Sequence, residues 1–256
     1  MNLRPADLSA ALRRGELTIA YQGQWDLDAS WDGGFRDARP AALEALSRWN
    51  HPTVGAVPPE EFVTLAEQGG FLDRLDLDVL TRATAQIASW RSGRRAVGLS
   101  VNAAPSHFSA SYAESAIRIA DALRLDPATL TIEITETPPP QFTDSMRGSL
   151  ESLRLAGIGV SVDDYGASDT TLDLLKRLPI DEVKLDRSLV QRDDPDADEV
   201  VDGVVAAARD HGWRVVAEGI ETTADLERSV RRGCHRGQGF LWGLPAAASV
   251  MEEMLG

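Results

Sequence analysis

Five carboxylates, two amides and a lysine stand in or just after short apolar runs of this chain. Glu44 follows Ala42-Leu43, Asn102 follows the run 97–101, and Glu133 lies in the run 130–134. Asp163-Asp164 follows 158–162, Lys184 lies in 182–185, Glu218 follows 215–217, and Gln238 comes shortly after Cys234. Carboxylate and amide oxygens are the hard ligands that Mg²⁺ and Mn²⁺ prefer. If the runs are parallel strands of one barrel, their C-termini converge on one mouth, and these oxygens form a cage there. Each residue alone has a plainer meaning. Glu133 reads as a surface carboxylate, Asn102 and Asp163-Asp164 as turn residues, Lys184 with Asp186 as an exposed charge pair, and Glu218 and Glu221 as first-turn acids. Their shared place at successive strand ends is what those readings leave unexplained.

The remaining sequence supplies the frame. A length of 256 residues matches a (β/α)₈ barrel, and 43% apolar residues suffice for a core. Residues 5–14 have helical spacing and stop at Gly15, and 17–22 alternate as a strand does. From 23 to 40 there is turn chemistry (Asp26, Asp28, Gly33, Gly34, Pro40) and no helical face. Parallel neighbours need a crossover, so 17–22 and 41–46 pair antiparallel. Helical patterns then fall at 59–68, 73–91, 112–123, 144–155, 170–178, 196–211, 222–232 and 246–255. The predicted fold is an α/β, TIM-like (β/α)₈ barrel with one antiparallel strand near the N-terminus, a single domain over 1–256.

A net charge of −14 argues against binding double-stranded nucleic acid. An anionic substrate is compatible with it only if divalent cations invert the local field. The single cysteine, Cys234, excludes an intramolecular disulfide and a cysteine metal site and reads as a packed residue. His51, His107, His211 and His235 lack metal-ligand spacing. The six tryptophans are scattered packing residues, with Trp49 alone bordering the proposed groove. The acidic stretch 191–198 reads as a solvated turn, and Arg231-Arg232 with Arg236 as a solvated helix end. There is no signal-peptide pattern in the first 15 residues and no apolar run near the ~20 residues of a membrane span. A soluble cytoplasmic protein is expected.

The segment Glu44-Ala45-Leu46-Ser47-Arg48-Trp49-Asn50-His51-Pro52 resembles the EAL-domain family of cyclic di-GMP phosphodiesterases. The likeness recurs in order: Val101-Asn102, Glu133-Ile134-Thr135-Glu136, Asp163-Asp164-Tyr165-Gly166, Leu178-Pro179-Ile180-Asp181 with Lys184-Leu185-Asp186, Ala217-Glu218-Gly219-Ile220-Glu221, and Gly233-Cys234 with Gln238-Gly239-Phe240. The resemblance implies metal-dependent hydrolysis of cyclic di-GMP to linear pGpG, with two divalent cations, Mg²⁺ or Mn²⁺. It places Glu44, Asn102, Glu133 and Asp163 on the first ion, and Asp163, Asp164 and Glu218 on the second. Lys184 would orient or help deprotonate the attacking water or stabilise phosphate charge, and Gln238 would position phosphate or water. Leu46, Arg48 and Asp186 would face the substrate, while Glu136 and Glu221 would support the loop after the aspartate pair. A homodimer through 167–178 is implied, with Leu172, Leu174 and Leu175 as its apolar surface.

The pattern is altered in places. Ala167-Ser168-Asp169 stands where active members carry Thr-Gly-Tyr, Tyr21-Gln22-Gly23-Gln24 replaces the usual Tyr-Gln-Pro-Ile, and His235 stands where Asp is common. Ser168 loses the glycine's tolerance of positive φ, and Asp169 adds a negative charge near the cations. A slow or partner-dependent phosphodiesterase is therefore expected. The alternative is a catalytically weak domain acting as a cyclic di-GMP receptor or protein-interaction module.

Overall fold

The computed structural model describes residues 3–27, 39–90, 97–105, 108–135, 143–167 and 170–255. After helix α1 (Pro5–Arg14), which stops at Gly15 with φ 69°, strand β1 (Leu17–Asp26) runs antiparallel to β2 (Ala42–His51) over Leu17↔Trp49 to Gln24↔Ala42. A short β3 (Gly55–Val57) folds back on the end of β2, and α2 (Pro59–Gly69) and α3 (Leu72–Trp90) cross to β4 (Gly98–Ala103). The chain then alternates through α4 (Ala110–Ala122), β5 (Leu130–Thr135), α5 (Asp144–Leu155), β6 (Gly159–Tyr165), α6 (Leu172–Leu175) and β7 (Glu182–Leu185). It ends with α7 (Arg187–Val190), α8 (Pro195–His211), β8 (Arg214–Ala217), α9 (Thr223–Arg232), β9 (Arg236–Gly237), β10 (Ala246–Ala247) and α10 (Ala248–Leu255).

Strands β2, β4, β5, β6, β7, β8 and β9 are parallel in that order, and β1 closes the ring by pairing antiparallel with both β2 and β9. The expected barrel with one reversed strand is what forms. Closure removes sheet edges, and the helices cover the outside through stripes such as Leu75, Val79, Leu80, Ala83 and Ile87 of α3.

The differences are local and have causes. Eight residue pairs with β1 carry β2 past Glu44 to His51, so Glu44 lies inside its strand. Likewise Asn102, Asp163 and Asp164 are strand residues, not residues after strands, whereas Glu133 lies within its strand as expected. The helix read over 170–178 is one turn, capped by Thr171. Pro179 opposes helical backbone at Leu178. Its Leu175 is fully buried and Leu172 packs on the core, so the apolar surface expected there is mostly spent internally. Ala246-Ala247 pair with Ala20 and Tyr21 before the last helix begins. The acidic stretch 191–198 is structural: Asp194 caps α8, and Asp198 accepts a hydrogen bond from Arg232 at 2.7 Å. Arg232 is itself buried and donates to the carbonyls of Leu189 and Arg192, so it is no solvated helix end. Trp49 is 1% exposed and packs edge-on to Phe62 within the core, so its ring is not free to border a groove.

Candidate active site

Each strand brings one element of the mouth. Residues paired across neighbouring strands share a face, so the register Gln22↔Glu44, Asn102↔Glu133 and Ser161↔Glu182 lines up polar side chains inside the barrel. Adjacent residues of a strand point to opposite faces, which ought to separate Asp163 from Asp164. The β6 register shifts between Val162 and Tyr165, and Asp164 has φ 60°. This bulge with its strained residue re-aims one carboxylate beside the other. Gly166, with φ 101°, completes the turn, and a Cβ there would lie 2.2 Å from Leu189.

At the centre is Lys184, completely buried. Its Nζ lies 2.8 Å from Glu218 Oε1, 2.9 Å from Asp163 Oδ1, 2.9 Å from Glu133 Oε2 and 3.4 Å from Glu44 Oε2. The surface-pair reading of Lys184 is thus overturned. Glu44 also accepts from Asn102 Nδ2 at 2.8 Å and from Gln238 Nε2 at 2.5 Å. Gln238 donates as well to Gln22 Oε1 at 3.2 Å.

The electrostatics are unbalanced. Burial, with the charge of neighbouring carboxylates, pushes Glu133 and Glu218 well above the ordinary carboxylate range and raises Asp163, against the opposing pull of Lys184. Burial and the Asp163 charge push Asp164 up to about 6. Burial alone would raise Glu44 too, but Lys184 and the Gln238 and Asn102 hydrogen bonds hold it low. Burial works against the Lys184 ammonium, yet the four surrounding carboxylates raise it well above its usual value.

This arrangement fits divalent cations. Glu44, Glu133 and Asp163 have oxygens within 4.8 Å of one another, as do Asp163, Asp164 and Glu218. Asp163 belongs to both sets. Hard oxygen donors and an excess of buried negative charge are what Mg²⁺ or Mn²⁺ would neutralise.

Two cavities open over the mouth. One, about 300 Å³, is lined by Gln22, Leu46, Asp164, Asp186, Glu218, Glu221 and Phe240. The other, about 460 Å³, runs beside Leu46, Arg48, Pro59, Val63, Asn102 and Asp164. Asp186 also caps α7, accepting from Ser188 N–H at 2.8 Å, and Glu221 donates its backbone N–H to Asp225. Glu136, Ser168 and Asp169 lie outside the described residues. The sequence reading did not single out Gln22, Gln24 or Phe240 as site residues. The alternating glutamines on a strand otherwise rich in core residues were the available signal.

The EAL domain family model matches residues 6–245. The chain belongs to the EAL-domain family. It is 36% identical over 240 residues to a cyclic di-GMP phosphodiesterase of Pseudomonas aeruginosa, covering 93% of this chain and 40% of that one. It is 32% identical to the cyclic di-GMP phosphodiesterase RocR of the same organism, covering 94% of this chain and 60% of RocR. This chain thus spans less than two thirds of the length of these relatives. Among solved structures, the PaMucR phosphodiesterase in complex with c-di-GMP superposes with a TM-score of 0.84 at 33% identity, covering 96% of this EAL domain and 98% of that chain. Among the described residues no helix is long and apolar enough to cross a membrane.

Proposed function

We propose that this EAL domain, read as one domain over 1–256, hydrolyses cyclic di-GMP to linear pGpG. The observation that carries this is the mouth itself, where five clustered carboxylates meet a single lysine and one aspartate serves two ligand sets. The named phosphodiesterase relatives support the substrate. Two divalent cations, Mg²⁺ or Mn²⁺, would supply charge neutralisation of the phosphate and acidity to a water. Glu44, Asn102, Glu133 and Asp163 hold the first ion in this reading, and Asp163, Asp164 and Glu218 the second.

The chain's own groups do the rest. Lys184 fixes the carboxylates relative to one another, and a donor freed when a cation takes up one of those carboxylates would orient the attacking water. Gln238, whose Nε2 donates to Glu44 and Gln22, would position the water through its carbonyl oxygen, or a phosphate oxygen once one of those donors is released. Leu46 and Asp186 border the substrate cavities, and Arg48 offers a guanidinium suited to phosphate or guanine edges. Glu136 and Glu221 support the loop after Asp163-Asp164. All six ligand positions are retained, which weighs against the reading as a receptor or interaction module without turnover. The proposal extends to a homodimer through 167–178, checked by sedimentation at micromolar concentration with and without cation and substrate; a persistent monomer counts against it.

The test is turnover of cyclic di-GMP with Mg²⁺ or Mn²⁺ against an EDTA control, with the product identified by chromatography. Cation-dependent pGpG is the expected result. Tight cyclic di-GMP binding without any turnover would establish the receptor reading instead.

A further inference from the structure

Strand β1 carries Gln22-Gly23-Gln24-Trp25 where the family pattern continues Gln-Pro-Ile, and the two faces of the strand use the change differently. On one face, a Cβ at Gly23 would lie 2.3 Å from the Trp25 ring, and that ring stacks on Trp242 at 4.9 Å and 7°. On the other face, Gln22 and Gln24 point into the barrel. Gln24 is 0% exposed, and its Nε2 donates to Glu133 Oε1 at 3.5 Å. Lys184 holds the other oxygen of the same carboxylate at 2.9 Å. Among the described residues, Gln24 Oε1 has no hydrogen-bond partner.

A buried amide with an unsatisfied oxygen is costly, and an isoleucine would fill the same space without that cost. What the amide provides is a donor to a carboxylate oxygen that is otherwise shut inside the barrel. We propose that Gln24 is a positioning residue that sets the orientation of Glu133 for cation binding. The inference rests on the cation-site reading above. Lys184 alone would draw the Glu133 carboxylate toward itself, whereas Gln24 pulls the second oxygen toward β1 and fixes the plane between them. As a neutral donor it does so without adding a positive charge that would compete with the cation. Partners of this kind behind a ligand typically change metal affinity by 10–100-fold.

The experiment compares wild type with Gln24→Met, which keeps length and apolar packing but removes the amide, and with Gln24→Ile as a second form. Mn²⁺ titration calorimetry should show affinity falling about tenfold or more in both variants. Melting temperature should be unchanged or higher, and kcat on cyclic di-GMP should fall with little change in KM. A merely structural residue would lower the melting temperature and leave Mn²⁺ affinity alone. Wild-type Mn²⁺ affinity in both variants would overturn the role of Gln24 while leaving the cation site standing. If wild type itself bound no Mn²⁺, the cation site would fail, and crystal structures of wild type and Gln24→Met without cation would still decide. A Glu133 carboxylate turned from its wild-type plane supports the positioning role, and an unmoved one overturns it.

Discussion

The two ends of strand β7 gather the same kinds of charge and treat them oppositely. At its N-terminal end each carboxylate has its own guanidinium: Glu182, 2% exposed, meets Arg214 at 2.8 Å, and Asp181 meets Arg154 at 2.9 Å while accepting the Val160 N–H. Two residues further on, Lys184 is shared by four carboxylates, and Asp164 stands close by with no ion pair of its own among the described residues. The first end is balanced and reads as stability. The second keeps several carboxylates at raised pKa and fits added positive charge. In a barrel of this kind, charge balance separates the end that holds the fold from the end that does chemistry.

That contrast can be broken by mutation. Lys184→Met removes the cation that four carboxylates share, and leaving buried charges unpaired costs about 3–5 kcal/mol. Urea unfolding without divalent ions should show that loss, and Mn²⁺ should recover part of it. Arg214→Met at the opposite end leaves the buried Glu182 carboxylate without its guanidinium, but Arg214 is 41% exposed and water can take its place, so about 1–2 kcal/mol is expected from the lost charged hydrogen bond. Mn²⁺ should not relieve that loss, and cyclic di-GMP turnover should be unchanged.

Acidity gives a smaller and signed effect. Asp164 titrates near 6 in the folded chain against 3.8 for the free group, first through burial and then through Asp163. Its protonated form is the one the fold prefers, so its contribution is present below about pH 4 and is lost as pH rises through about 6. Asp164→Asn should therefore stabilise the cation-free protein by an amount that grows between pH 4 and 6. Melting curves across that window measure it, and saturating Mn²⁺ should remove the advantage. The smallest effect concerns the rim. Ser168→Gly with Asp169→Tyr removes one negative charge, worth about 1 kcal/mol at the dielectric of water, so turnover should rise roughly fivefold with Mn²⁺ affinity unchanged.

Much of this was legible before any coordinates. The βα alternation and the helix-free stretch before Pro40 implied the barrel and its reversed strand, because period and loop length constrain topology. The ligand candidates were legible because seven stations fell at corresponding strand positions. Burial of Lys184 was not, since a lone lysine among apolar residues looks the same on a surface strand. Nor was the bulge at Asp163-Asp164, which depends on a register shift against β7. Trp49 and Arg232 were misplaced for a related reason: neither sequence neighbourhood reveals whether a large side chain turns inward to Phe62 or to Asp198.

The central claim is that the unbalanced charge at the mouth exists to hold divalent cations. Mn²⁺ titration calorimetry on wild type and Asp163→Asn tests it most directly, because Asp163 belongs to both ligand sets. The account predicts two Mn²⁺ bound per wild-type chain and the loss of both in the variant, with the fold intact. Wild-type stoichiometry and affinity in Asp163→Asn would contradict it.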